Sequence, residues 1–193
     1  GGAQDLMSAF ILSFEQPLKK LDTSKVRLYM DSAYVSPGAY RFLPDSQNRV
    51  LTLDYNWIED KSYHLVLDKD FAEDSAGRKL LKTDTLQFRT KKIADYGSLQ
   101  IRFRQLDTAS HPVLQILSGE AVYKSFPLTG SLFSQNLFLP GEYELRLLFD
   151  TNRNGQWDPG DFFGKHRQPE IAKPLDKKIV VKPNWQNEYE INL

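Results

Sequence analysis

The sequence predicts an all-β protein built as two tandem antiparallel β-sandwich domains, and three observations predict it. Short segments alternating apolar with polar residues recur along the whole chain, the signature of strands with one buried face. Turn formers separate them at Pro37-Gly38, Asp45-Ser-Gln-Asn48, Asp74-Ser-Ala-Gly77, Ser118-Gly-Glu120 and Pro140-Gly141. No stretch sustains a 3.6-residue period, so helix is expected to be minor, a single turn near Pro17–Leu21 or Asn56–Asp60.

Composition bounds the function. The 193 residues are enough for two domains of about 100, each burying its own core. Lysine plus arginine equals aspartate plus glutamate at 25 each, and the balance holds in both halves, 14 against 13 up to Lys92 and 11 against 12 beyond it. Neither half carries the basic excess that nucleic acid or an anionic membrane surface demands. Apolar runs fall far short of the roughly 20 residues of a membrane span. The absence of cysteine removes thiol catalysis, thiolate metal sites and disulfides together. Gly1-Gly2 ahead of Ala3-Gln4-Asp5 reads as an expression scar, so the lack of a signal peptide carries no weight.

In the first half, strands are expected at Phe10–Phe14, Lys25–Met30, Ala39–Leu43, Val50–Tyr55, Tyr63–Leu67 and Thr85–Thr90. The succession Phe10-Ile-Leu-Ser-Phe-Glu-Gln-Pro-Leu18, Val50-Leu-Thr-Leu53, Lys61-Ser-Tyr-His-Leu65, Asp70-Phe-Ala-Glu-Asp-Ser-Ala-Gly-Arg-Lys-Leu80 and Leu86-Gln-Phe-Arg-Thr90 resembles bacterial Ig-like domains of the S-layer type. Asp54-Tyr-Asn-Trp57 departs from that pattern, where a proline is usual. The acidic run Asp68-Lys-Asp-Phe-Ala-Glu-Asp74 has no glycine-centred ligand register and is read as a solvated turn.

Thr90-Lys-Lys-Ile-Ala-Asp-Tyr-Gly97 is polar and short, which places the boundary between domains 1–92 and 93–193 and implies limited hinge motion. Beyond it, strands are expected at Leu99–Arg104, Val113–Ile116, Ala121–Phe126, Leu132–Leu139, Glu142–Phe149, Lys177–Val181 and Glu188–Leu193. In the fifth of these, Tyr143, Leu145, Leu147 and Phe149 share one face. The phrase Leu139-Pro-Gly-Glu-Tyr-Glu-Leu-Arg146, running into Asp150-Thr-Asn-Arg-Asn-Gly155, resembles transthyretin-like or Cna-B-like modules of bacterial surface proteins. The order of both modules, ending in "D-x-N-x-N-G-x-W-D-x-G-D…Q-P-E", resembles the C-terminal portion of Ig-like-domain lipoproteins of Bacteroidetes. That resemblance implies a cell-surface or periplasmic location, lipid-anchored through a part upstream, and no assigned activity.

One motif carries a chemical mechanism. Against the loop D-x-[DN]-x-[DN]-G-x5-E, Asp150, Asn152 and Asn154 stand at positions one, three and five, and Gly155 at six. Gln156 offers its carbonyl at seven, Asp158 stands at nine and Asp161 at twelve. Three carboxylates balance a divalent cation, but an aspartate at twelve is short, so a structural Ca2+ site of about 10⁻⁴–10⁻³ M affinity is the expectation. The same residues also make a metal-free turn, because Asn and Asp side chains cap nearby amides, with Trp157, Phe162 and Phe163 anchoring it. The sequence leaves both readings open.

No catalytic constellation accompanies the loop. His64, His111 and His166 lack ligand spacing, His64 being expected on the solvent side of its strand. There is no nucleophile elbow and no phosphate-cradling glycine loop. The chain is therefore expected to be no enzyme but a monomeric structural or interaction module of an envelope protein. The alternative is a glycan-binding module, with Trp57, Trp157, Trp185, Tyr34 and Tyr40 as stacking candidates; exposed tryptophans favour it and buried ones count against it.

Overall fold

The computed structural model describes residues 2–161, 163–164, 166 and 168–193. The chain is all-β, and among the described residues its helical content is three single 3₁₀ turns, Thr23–Lys25, Ile93–Asp95 and Thr108–Ser110. It divides into two compact units, Gly1–Lys92 and Ile93–Leu193.

The first unit contains β1 (Ala3–Gln4), β2 (Phe10–Ser13), β3 (Leu18–Leu21), β4 (Val26–Met30), β5 (Arg41–Pro44), β6 (Val50–Asp54), β7 (Ser62–Leu67), β8 (Ala72–Asp74) and β9 (Asp84–Thr90). They form sheets of order β1-β9-β7-β4 and β2-β6-β5, with β3 and β8 as a separate pair. Strict alternation does the sorting. In β7, Tyr63, Leu65 and Leu67 are buried and meet Leu53 of β6 and Leu18 of β3 in one core. The tetrapeptide Asp54–Trp57 owes its shape to the tryptophan. Trp57 is only 8 % exposed, meets Tyr55, Tyr63 and Phe88 edge-on, and donates its indole N–H to the Ser8 carbonyl at 2.9 Å.

Neither expected helical turn forms. Asn56–Asp60 is irregular, and Leu18–Leu21 is a strand whose register shift against β8 lets Leu18 and Leu21 both turn inward past two exposed lysines. A bulge thus gives an i, i+3 pair the burial that a helix would otherwise provide.

The second unit has seven strands: β10 (Gly97–Arg104), β11 (Pro112–Ser118), β12 (Ala121–Pro127), β13 (Leu132–Phe138), β14 (Gly141–Phe149), β15 (Ala172–Val181) and β16 (Gln186–Asn192). Sheets of order β13-β10-β16 and β12-β11-β14-β15 enclose one core. Leu99, Ile101 and Phe103 from one sheet meet Leu114, Ile116, Leu145, Leu147 and Ile179 from the other. On β14 the expected inward face holds, with Leu148 buried as well.

Pairing is not antiparallel throughout. In each unit the first strand runs parallel to the last, β1 beside β9 over two residue pairs and β10 beside β16 over seven, from Ser98↔Gln186 to Arg104↔Asn192. A parallel neighbour needs a long crossover, and here all the intervening strands supply it.

Candidate functional site

The Asp150–Asp161 loop begins where β14 ends and belongs to the connection to β15, whose base is closed by Phe149 N–H on the Ile171 carbonyl at 2.9 Å. Asp150 is the pivot. Its side chain is 2 % exposed, its own N–H donates to the His111 carbonyl, and its two oxygens accept Asn154 N–H at 3.2 Å and Gly155 N–H at 2.6 Å. Gly155 makes this clasp possible by taking φ +75°, where a side chain is strained.

Two further caps continue the fold of the loop. Asn152 Oδ1 accepts Asn154 N–H at 3.0 Å, and Asn154 Oδ1 accepts Gln156 N–H at 2.7 Å. The amide groups of both asparagines converge on one oxygen, Asp158 Oδ2, at 2.5 and 2.9 Å. Asp150, Asn152, Asn154 and Asp158 are thus joined in one hydrogen-bonded loop. Asp161 instead accepts Gly164 N–H at 2.8 Å, three residues on. Among the described residues, no three Asp, Glu or His side chains converge closely enough to hold a metal as the loop stands.

Glu170 is the residue that the pattern missed. Its Oε1 accepts Thr151 N–H at 2.8 Å and its Oε2 accepts Asp158 N–H at 3.2 Å, so one carboxylate touches loop positions two and nine. Its own main-chain groups lock it there, the N–H donating to the Asp158 carbonyl at 3.0 Å and the carbonyl accepting the Trp157 indole Nε1–H at 2.7 Å. A second missed contact is Arg153, whose guanidinium lies 2.8 Å from His111 Nε2. Since guanidinium only donates, that ring nitrogen is the acceptor. Of the expected anchors, Trp157 serves through its indole N–H, Phe163 is 95 % exposed, and Phe162 lies outside the described residues.

Elsewhere the acidic run is drawn apart into ion pairs: Asp68 with Arg27 at 2.8 Å, Asp74 with Arg78 at 2.6 Å and Glu73 with Lys79 at 3.3 Å. His64 is on the outer face as expected and half-buried there, with Tyr34 stacked on it at 4.6 Å and its Nδ1 buried without a hydrogen-bond partner. The stacking candidates divide. Trp57 is in the core and Tyr40 is spent on it, whereas Tyr34, Trp157 and Trp185 are exposed, Trp185 to 64 %.

No family model and no curated protein matches this chain. Among solved structures, it is similar to native alpha-2-macroglobulin from Escherichia coli spanning domains MG0-NIE-MG1, at 11 % identity and TM-score 0.40, over 95 % of this chain and 88 % of that one. It is similar to the Bacillus anthracis TIE protein at 10 % identity and TM-score 0.30, over 98 % of this chain and 38 % of that one. It is also similar to BcpA, the major pilin subunit of Bacillus cereus, at 9 % identity and TM-score 0.30, over 96 % of this chain and 59 % of that one. The architecture described above rests on strand order and register alone. Among the described residues no helix is long and apolar enough to cross a membrane.

Proposed function

We propose that this chain is a non-catalytic structural or interaction module of a bacterial cell-envelope protein, an Ig-like sandwich followed by a transthyretin- or Cna-B-like one, with the Asp150 loop braced by a weak Ca2+ site. The observation that carries the brace is the preset backbone. Asp150 already clasps the amides of positions five and six while Asn152, Asn154 and Asp158 face one another. The donor set is all oxygen, which suits a hard cation.

Asp150, Asn152, Asn154, the Gln156 carbonyl and Asp158 would hold the ion. Glu170 takes the closing position in place of Asp161, since it lies against the loop with both oxygens and has the longer side chain. Binding exchanges the two amide donors on Asp158 for the cation. An affinity of about 10⁻⁴–10⁻³ M fills only where calcium is abundant, which accords with a surface or periplasmic location.

Titrating calcium into chelator-stripped protein tests this. At about 10 mM the expected stabilisation is about 1.4 to 2.7 kcal/mol, read as a melting-temperature rise with a change in Trp157 emission. Silence in both signals at that concentration ends the calcium reading. Asp161→Asn should leave the response intact and Glu170→Gln should abolish it; the reverse outcome restores Asp161 to position twelve.

A further inference from the structure

Trp185 stands in the turn between β15 and β16, on a surface distant in sequence from the Asp150 loop. A cleft of about 560 Å³ opens beside it, lined by Ser98, Asn136, Leu137, Asn184 and Gln186 together with Ile93, Tyr96 and Gly97. That volume falls in the roughly 300–1,000 Å³ range of small-molecule sites. In a chain whose residues are 26 % charged, this lining contains no Asp, Glu, Lys or Arg.

The turn is built to hold the indole still. Trp185 offers its carbonyl to Ser98 N–H at 2.9 Å and to the Asn187 side-chain amide at 3.0 Å, and Asn184 N–H donates to the Tyr96 carbonyl at 2.7 Å. Asn187, only 8 % exposed, also accepts Lys182 N–H and donates to the carbonyls of Lys182 and Ser98. The turn sits so close on β10 that a Cβ on Gly97 would come within 2.4 Å of the Lys182 carbonyl oxygen. Lys182 Nζ lies 5.4 Å from the centre of the Trp185 ring.

The opposite wall is strained. Where β13 meets β10 the register slips between Gly97↔Phe138 and Leu99↔Gln135, and Leu137 takes φ +51°. A left-handed leucine costs about 1–2 kcal/mol. Bulges of this kind re-aim side chains beside functional sites, and here the slip falls on Asn136 and Leu137, both in the cleft wall.

We infer that this cleft is a saccharide-binding site, taking a neutral glycan whose C–H face stacks on Trp185 while its hydroxyls bond Asn136, Asn184, Gln186 and Ser98. The inference is independent of the calcium brace. An exposed indole supplies an apolar platform with polar groups at its rim. Planar amides both donate and accept, as a sugar hydroxyl does. The lining itself is uncharged, and at its rim Lys182 lies beside the ring while Glu188 accepts the Gln186 side-chain N–H at 2.6 Å, so an ion of either sign meets a like charge. A purely apolar partner would bury the Asn136 and Asn184 amides without a sugar hydroxyl to pair them, at about 1–3 kcal/mol each.

The test is NMR of the whole chain with cellohexaose, xylohexaose, mannohexaose, maltohexaose and chitohexaose, following the three indole N–H signals in chelator-treated and calcium-loaded protein. At least one saccharide should shift Trp185 saturably, with a Kd of about 0.1–5 mM, equally with and without calcium. Trp185→Ala should weaken binding at least about tenfold while the Trp57 and Trp157 signals stay in place, and Asn136→Ala should weaken it several-fold. No Trp185 shift with any of the five at about 10 mM overturns the proposal, as does undiminished binding by Trp185→Ala. A Trp185 shift that follows protein concentration alone, with a dimer on sizing, also overturns it and makes the cleft a contact between copies.

Discussion

The hairpin turn at Asp45 and the loop at Asp150 use the same clasp. Asp45 accepts the N–H groups of Arg49 and Val50 at 2.7 and 3.0 Å, four and five residues on. Asp150 accepts those of Asn154 and Gly155, also four and five residues on. The Asp45 turn is closed besides by strand pairing of β5 with β6, so it is complete in itself. The clasp alone is therefore no sign of an ion. What sets the second loop apart is that its aspartate is buried and that the side chains of Asn152, Asn154, Asp158 and Glu170 are bonded to one another and to the loop's amides around it. One aspartate shapes a turn; the other shapes a turn ringed by further polar side chains.

The largest effect should separate the two aspartates directly. Asp150→Ala strands two amides beside a buried site and should cost about 2–3 kcal/mol, read from the urea transition of the second unit. Asp45→Ala should move the first unit's midpoint by much less, and equal shifts would erase the distinction. Next in size, calcium should raise the melting temperature of the second unit only, and Asp158→Asn, which keeps an acceptor for the two amides, should remove that rise. A calcium response in the first unit would put the ion elsewhere.

Acid should discriminate in the other direction. The amides of Val50 and Arg49 hold the Asp45 carboxyl below its ordinary 3.8, and those of Arg78 and Ala76, with the Arg78 side chain, do the same for Asp74. A depressed folded-state value contributes stability that is complete above pH 3.8 and drains away as pH falls through the depressed values. Ser24 lowers Asp22 and Arg89 lowers Asp60 likewise, and in the second unit Arg104 lowers Glu190. Hydrogen exchange between pH 4 and 2.5 should find the first unit loosening ahead of the second. The smallest effect is Gly155→Ala, about 1–2 kcal/mol of left-handed strain with nothing within 4 Å of the new methyl. A larger loss would mean that the loop interior is tighter than it stands.

Most of the fold was legible because alternation reports burial directly: Leu99, Ile101 and Phe103 face inward wherever their strand pairs. What escaped was set by neighbours far along the chain. β3 needs β8 beside it and a register slip before Leu18 and Leu21 share a side, and no local pattern encodes that partner. The loop was legible up to Asp158 because its clasps span few residues. Glu170 was not, because the chain returns to the loop after a segment whose sequence carries no period, and Pro169-Glu170 was visible only as part of a resemblance. Trp185 could be named but not distinguished from Trp57, since what separates them is whether a core lies above the ring.

The parallel pairing of first and last strands has a mechanical reading. In the second unit the chain enters at the head of β10 and leaves at the tail of β16, which lie at opposite ends of the pair. A pull on the two ends loads all seven register pairs together, in shear, rather than opening them one by one. In the first unit the matching pair, β1 with β9, has only two. Stretched between its ends, the chain should yield in two steps, the first unit at the lower force and the second holding until its long parallel seam gives way at once; a single rupture event in a pulling experiment would contradict this.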